Sequence, residues 1–333
     1  MGRFLVRRLA GHAVLAVVAA SLAYLLAAAS LHPRPDPPGP AAGPAPAAPA
    51  DRAALRRLNL DDREPLAERY RVWAAGIVRG DFGRTLRGEP VAAELWRRLW
   101  VSVRLLAAGS ALGFAGGVLL GAYAAARRGT AADRLVTAGS FLLLAVPVFV
   151  LAPLLQIAAA AVDQATGVQF VEWVGESSPG AAGGAFGALG AVGDRVRHLA
   201  LPTVVVALSQ LAVYCRYQRG MMLDVIGADY VRTARAKGLR RRDALLRHGV
   251  RTALIPLTTY FAYTVGVLLL TGMFTEQVFG WHGLGEWVVD AILRGDVNVV
   301  AAANVVAAVA VLLAGLASDA LRGLLDPRVR ARA

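Results

Sequence analysis

Six apolar runs alternate with polar segments along the chain, at residues 13–31, 105–126, within 135–162, 199–215, 252–275 and 297–318. A helix rises about 1.5 Å per residue, so roughly 20 apolar residues cross the hydrocarbon of a bilayer. The pattern therefore predicts an all-α integral membrane protein with six transmembrane helices. A large polar segment, residues 32–98, separates the first two runs. Its Pro/Ala-rich part, 32–49, reads as an extended linker, and 51–98 as short amphipathic helices on the outer surface. A second outer segment covers 163–197 and is rich in Gly and Ala over 180–193. That stretch is too short and too glycine-rich to count as a span. If it crossed, the number of spans would be odd and the basic loop before the fifth run would change sides.

Within the runs, a few positions stand out. Gly113, Gly116, Gly117 and Gly121 recur at helical spacing in the second run, which favours close helix packing over a transport face. Pro147 and Pro153 are expected to bend the third run, and Pro202 lies near the start of the fourth. The fifth carries Thr258, Thr259, Tyr260, Tyr263, Thr264 and Thr271. These hydroxyls either line a path or bond to their own helix carbonyls. Asn298 and Asn304 lie in the sixth run. His198 reads as an interfacial residue with no carboxylate partner one turn away.

Charge adds orientation. The chain has 333 residues, 36 of them basic, a net charge of +13 and 56% hydrophobic residues. Its mean hydropathy is +0.51, too apolar for a soluble domain of this length. The basic residues fall in loops without interleaved aromatics, which argues against nucleic acid. Arg3, Arg7 and Arg8 precede the first run; Arg127, Arg128 and Arg134 follow the second; Arg216 and Arg219 follow the fourth; Arg322, Arg328, Arg330 and Arg332 close the chain. By the positive-inside rule both termini and both strongly basic loops face the cytoplasm. A cleaved signal peptide competes with a retained first helix, but that run exceeds the usual signal core of about 7–15 residues, so a retained helix is expected. The single cysteine, Cys215, excludes an intrachain disulfide. Heavy use of Ala, Gly and Arg suggests a GC-rich bacterial genome.

The most basic loop, residues 229–256, reads DYVRTARAKGLRRRDALLRHGVRTALIP. It contains Lys237, the one lysine of the sequence. Residues 230–237 predict a helix whose Arg232 and Arg235 share a face. Thr233, Ala234 and Ala236 are small enough to admit another surface, and Gly238 suits a left-handed helix end. A second short helix is expected over 241–248, and Pro256 would kink the fifth run or form its first turn. Chemistry alone leaves a docking element and a plain cytoplasmic loop about equally supported.

The loop resembles the cytoplasmic EAA-type loop of ABC importer inner-membrane subunits, in particular the dipeptide, oligopeptide and nickel permease family. The resemblance rests on Asp229, Tyr230, Arg232, Thr233, Ala234, Arg235, Ala236, Lys237, Gly238, Leu239, His248, Arg251, Ala253 and Pro256, with Thr252 in place of the usual Asn. Residues 79–85, RGDFGRT, and 276–285, EQVFGWHGLG, resemble two further signatures of that family, His282 replacing its Pro. The resemblance implies a coupling helix between the fourth and fifth spans that fits a cleft on an ATPase subunit. Its contact surface would be Arg232, Thr233, Ala234, Arg235, Ala236, Lys237, Gly238 and Leu239. The implied partners are a second, similar permease, two ATPase subunits, an extracytoplasmic solute-binding protein and the lipid bilayer of the bacterial inner membrane. The implied cargo is peptide, with nickel as the alternative.

A phosphate-binding P-loop needs Gly-Lys-Ser or Gly-Lys-Thr, which Lys237 does not supply. ATP and Mg are therefore expected on the partner, with no cofactor, metal or catalytic residue in this chain. The apolar runs carry no acid, which disfavours an ion-coupled carrier, and no nucleophile–base pair suggests a membrane enzyme. The expected division is a first helix at 1–31, an outer segment at 32–98, a type-1 transmembrane domain of ABC transporters at 99–322 and a tail at 323–333.

Overall fold

The computed structural model describes residues 2–33, 52–178 and 187–325. The described residues form helices α1 (Gly2–Ser30), α2 (Arg52–Arg57), α3 (Leu66–Val78), α4 (Val91–Ala126), α5 (Ala131–Ala145), α6 (Val148–Thr166), α7 (Gly187–Ile226), α8 (Asp229–Ala236), α9 (Arg241–Ala244), α10 (Arg251–Thr271), α11 (Met273–Phe279), α12 (Leu284–Arg294) and α13 (Val297–Leu325). A π-helical stretch, Leu245–Val250, joins α9 to α10. Among the described residues no strand forms; Arg84 and Pro90 make an isolated bridge. Among the described residues six segments are long and apolar enough to cross a membrane: Leu9–Ser30, Val91–Ala126, Val148–Thr166, Leu189–Ile226, Thr252–Leu269 and Val297–Ala320.

The helices depart from the apolar runs in several places. The third run is two helices. Pro147 has no N–H to continue α5, so the chain breaks at Val146 and Pro147 becomes the N-cap of α6. Pro153 is accommodated inside α6. The second span begins in the outer segment: nothing between Val91 and Ala126 interrupts a helix, so the division expected at 98/99 falls inside α4. In the same way α7 runs through both ends of the fourth run. The linker proper, 34–49, the stretch 179–186 and the end of the tail, 326–333, lie outside the described residues. Acids do occur in the extended helices, beyond the apolar runs: Glu94, Asp163, Asp194, Asp224 and Asp319. His198 has the partner its neighbourhood seemed to lack. Asp194, four residues earlier, offers its carbonyl 2.9 Å from Nδ1 and its carboxylate at 3.6 Å.

Among the described helices the pairing of α4 with α7 is the most extensive. Gly109, Gly113 and Gly117 lie under Val206, Gln210 and Tyr214, where an added Cβ would come within 2.5–2.6 Å of the Cβ above it. Gly121 repeats the approach against Cys215 and Gln218. The stripe thus packs helices, as expected, but it starts one turn earlier than the sequence suggested, and Gly116 lies to one side, under Leu211. In lipid, where apolar surface gains nothing by leaving water, such close approach is what holds helices together.

At the opposite end from α8, α1, α3, α12 and the start of α13 enclose a core around Tyr24, Leu60, Trp73, Leu95 and Val297. Tyr24 stacks on Trp73 with 4.4 Å between ring centroids. This core gives the RGDFGR segment a structural role that sequence had not supplied. Asn298 at the start of α13 donates to the carbonyls of Leu58 and Arg84, both at 2.9 Å. Asp296 accepts the Leu86 N–H at 2.8 Å. Burial pushes the Asp296 carboxyl up, against the hydrogen bond from Leu86.

Candidate coupling site

The helix expected over 230–237 is α8, which begins at Asp229 and ends at Ala236. Asp229 places a negative charge in its first turn, where the helix dipole favours it. Thr233 Oγ1 donates back to the Asp229 carbonyl at 2.9 Å. Val231 and Ala234, three apart, form the buried face. They pack with Ala125 of α4, Met222 and Val225 of α7, Ala244 and Leu245 after the loop, and Ala253 of α10. The short helix packs on α9 and the π-helical stretch, and its buried residues belong to a cluster that also takes in residues from the ends of α4, α7 and α10.

Its C-terminus is a Schellman motif. Gly238 N–H donates to the Arg235 carbonyl at 3.0 Å and Leu239 N–H to the Ala234 carbonyl at 3.3 Å. Gly238 holds φ +90°, the left-handed conformation expected there. Leu239 returns to pack against the same apolar cluster. The second predicted helix is only partly α-helical: α9 ends at Ala244 and the winding widens to π through Val250. Pro256 lies inside α10, in its second turn.

The eight residues expected on the contact surface do not all face outward. Arg232, Thr233, Arg235, Ala236, Lys237 and Gly238 are exposed; Ala234 is buried and Leu239 half-buried. Tyr230 joins the exposed side. The outward face thus carries Arg232, Arg235 and Lys237 beside the small Ala236 and Gly238. Asp229 is 3.7 Å from Arg232, and both side chains are largely solvated, so that pair contributes little. This is a rigid cationic knob suited to contact, with no group arranged for chemistry.

Behind the knob lies an ion pair that sequence spacing did not reveal. Arg219 of α7 donates to Asp133 of α5 from Nε at 2.7 Å and from a terminal nitrogen at 3.1 Å. Asp133 is buried and also accepts the Gly129 N–H at 2.9 Å. The Arg219 hydrogen bond, reinforced by Gly129, holds its carboxyl at about 2. The available cue was local: Thr130, three residues before Asp133, caps α5 in the manner of a capping box. Nothing in sequence joins either residue to Arg219.

The outer turn EQVFGWHGLG, expected as a re-entrant or docking turn, is organised around buried Glu276. Its carboxylate accepts the Ser102 hydroxyl of α4 and the N–H groups of Gly285 and Glu286 at 2.7 and 3.1 Å. Burial pushes this carboxyl up, against those three donors. His282, in the place of a proline, turns its ring to Glu286 at 2.9 Å. A Cβ on Gly283 would lie 2.5 Å from the Glu276 carboxyl carbon, so a side chain there would displace that carboxylate. Of the fifth run's hydroxyls, Thr264 bonds its own helix, donating to the Tyr260 carbonyl at 2.8 Å.

A sequence-family model described as "Binding-protein-dependent transport system inner membrane component" matches residues 117–331. The oligopeptide transport system permease protein OppB of Mycobacterium tuberculosis strain H37Rv is 48% identical over 330 residues, 99% of each chain. The oligopeptide transport system permease protein AppB of Bacillus subtilis strain 168 is 32% identical, covering 85% of this chain and 90% of its own. The dipeptide transport system permease protein DppB of Escherichia coli K12 is 31% identical, covering 83% and 84%.

Proposed function

Because the chain belongs to the family of binding-protein-dependent transport system inner-membrane components, we propose that it is the permease subunit that forms the peptide path of an ATP-driven importer. The observation that carries this reading is end-to-end similarity, at 48% identity, to a permease named for oligopeptide transport. The geometry of α8 supports it: behind its exposed cationic face lies an apolar cluster that includes residues from the ends of α4, α7 and α10. A push on that face would reach the membrane helices through this cluster.

In this reading both termini and α8 face the cytoplasm. Residues 99–322 act as the transport module, beside a second homologous permease. Two ATPase subunits bind ATP and Mg, and an extracytoplasmic solute-binding protein delivers peptide. ATP binding closes the ATPase pair, the docked knobs follow, and the spans exchange which side is open. ATP acts only through its different affinity for the two states. Arg232, Thr233, Arg235, Ala236, Lys237 and Gly238 make the contact, while Ala234 and Leu239 hold the knob in place.

The test is uptake of labelled dipeptides, oligopeptides and nickel in cells lacking this chain, with and without its restoration. Restored peptide uptake, together with ATPase subunits that co-purify with the chain, is the expected result. Nickel uptake restored alone, or a chain that purifies without any ATPase, would overturn it.

A further inference from the structure

We infer that one face of α10, with Tyr217 of α7, is the wall of the translocation path and that it holds the main chain of the passing peptide. The inference rests on the peptide-importer reading and names the residues that reading leaves open.

The face surrounds a cavity of about 270 Å³ between α10 and α13, lined by Pro256, Thr259, Tyr260, Tyr263, Gly315 and Ser318. Tyr217 extends it, its ring stacked on Tyr260 with centroids 4.9 Å apart. Two of these rings are open to the outside: Tyr217 is 52% exposed and Tyr263 50%. Tyr263 lies eleven residues into the span Thr252–Leu269, about 16 Å from its start. That is well inside the hydrocarbon and away from the interfacial belt where tyrosines usually sit. The surfaces that meet lipid look different. Exposed large side chains are Val14, Leu15 and Leu22 on α1, and Phe149, Leu154 and Ile157 on α6. None of those carries a hydroxyl, because a polar group in lipid has no partner. Tyr263, the exposed hydroxyl of this face, is therefore set against water or a polar guest, with Thr259 and Ser318 buried behind it.

The chemistry of the wall selects the class of guest. A hydroxyl both donates and accepts, which matches the N–H and C=O groups of a peptide backbone. The tyrosine rings offer apolar surface to side chains. The described residues that line the cavity are uncharged. A path must also release what it binds, and neutral hydroxyls hold more weakly than ion pairs.

The test uses cysteine accessibility in the assembled importer in vesicles. Cys215 is replaced by alanine to remove the native thiol, and Y263C and Y217C are compared with L313C on α13 and L142C on α5. The probe is a charged, membrane-impermeant methanethiosulfonate. A thiol in lipid stays protonated while one in water reaches the reactive thiolate, so Y263C and Y217C should react roughly tenfold or more faster than the controls. A transported peptide should slow them. Rates as slow as L313C would overturn the inference by placing the tyrosines in lipid or against another helix. Fast labelling that no peptide slows would overturn it as well, by showing a water-filled crevice off the path. Peptide uptake by the unsubstituted importer, measured in parallel, separates this outcome from failure of the underlying function.

Discussion

Gly238→Val tests the capped knob directly. Gly238 sits at φ +90° with no other atom within 4 Å of where a Cβ would be. Space therefore does not forbid a side chain; the backbone conformation does. A non-glycine residue there costs about 1–2 kcal/mol, with β-branched residues at the upper end and Asn near the lower. If the variant escapes to negative φ, both Schellman hydrogen bonds break and Leu239 leaves its cluster. If only the capped form docks, each 1.4 kcal/mol of strain weakens apparent docking by up to about tenfold. The assay titrates ATPase subunits against permease in lipid nanodiscs and reads affinity beside peptide uptake. The expected order of affinity is wild type close to Gly238→Asn, then Gly238→Ala, then Gly238→Val. Insertion should be normal throughout, because the site is outside the spans. A valine variant with wild-type affinity and wild-type uptake would refute the reasoning.

Three other outcomes follow from the same geometry. Ala234→Asp and Arg235→Ala should both reduce capture of the ATPase, for different reasons. The first buries a carboxylate beside Val231 and exposes the knob to protease; the second leaves protease resistance intact, and equal resistance in the two would contradict the burial of Ala234. Asp133→Asn removes one partner of a buried pair and should lower unfolding stability by about 3 kcal/mol. Its pH dependence has a definite sign: the Asp133 carboxyl falls from 3.8 to about 2 on folding. The stabilisation of about 2 kcal/mol is present above pH 4 and is lost as pH falls toward 2. Wild type and variant unfolding curves should therefore converge in acid, and a constant gap would exclude the ion pair as its source. Gly283→Ala places a methyl against the Glu276 carboxylate and should destabilise the outer turn by about 1–3 kcal/mol, read by hydrogen exchange at Gly285 and Glu286.

Hydropathy made the membrane helices legible because in a bilayer each apolar run must satisfy its own backbone. The same argument located α8 and its glycine stop, since both are set by local conformation. What sequence left out depended on partners far along the chain. Ala234 looks like an invitation to a partner until Met222 and Val225 are folded against it. Asp133 meets Arg219 across 86 residues. Asp194 was near enough to find, one helical turn before His198, but it lay beyond the expected start of the fourth span. Pro147 was visible, yet whether it bends a helix or ends one depends on how α5 and α6 pack, which composition does not state.

Gly109, Gly113, Gly117 and Gly121 of α4 also limit where the molecule can give way. With side chains of α7 seated directly on the backbone of α4, the two helices have no room to slide or rotate against each other. They travel together. The α10–α13 pair meets the first through side chains instead: Tyr260 against Tyr214 and Tyr217, Phe261 against Phe114, and Leu268 clustered with Leu106 and Val206. Side chains can repack where interlocked backbones cannot, so any give between the two pairs belongs at this seam.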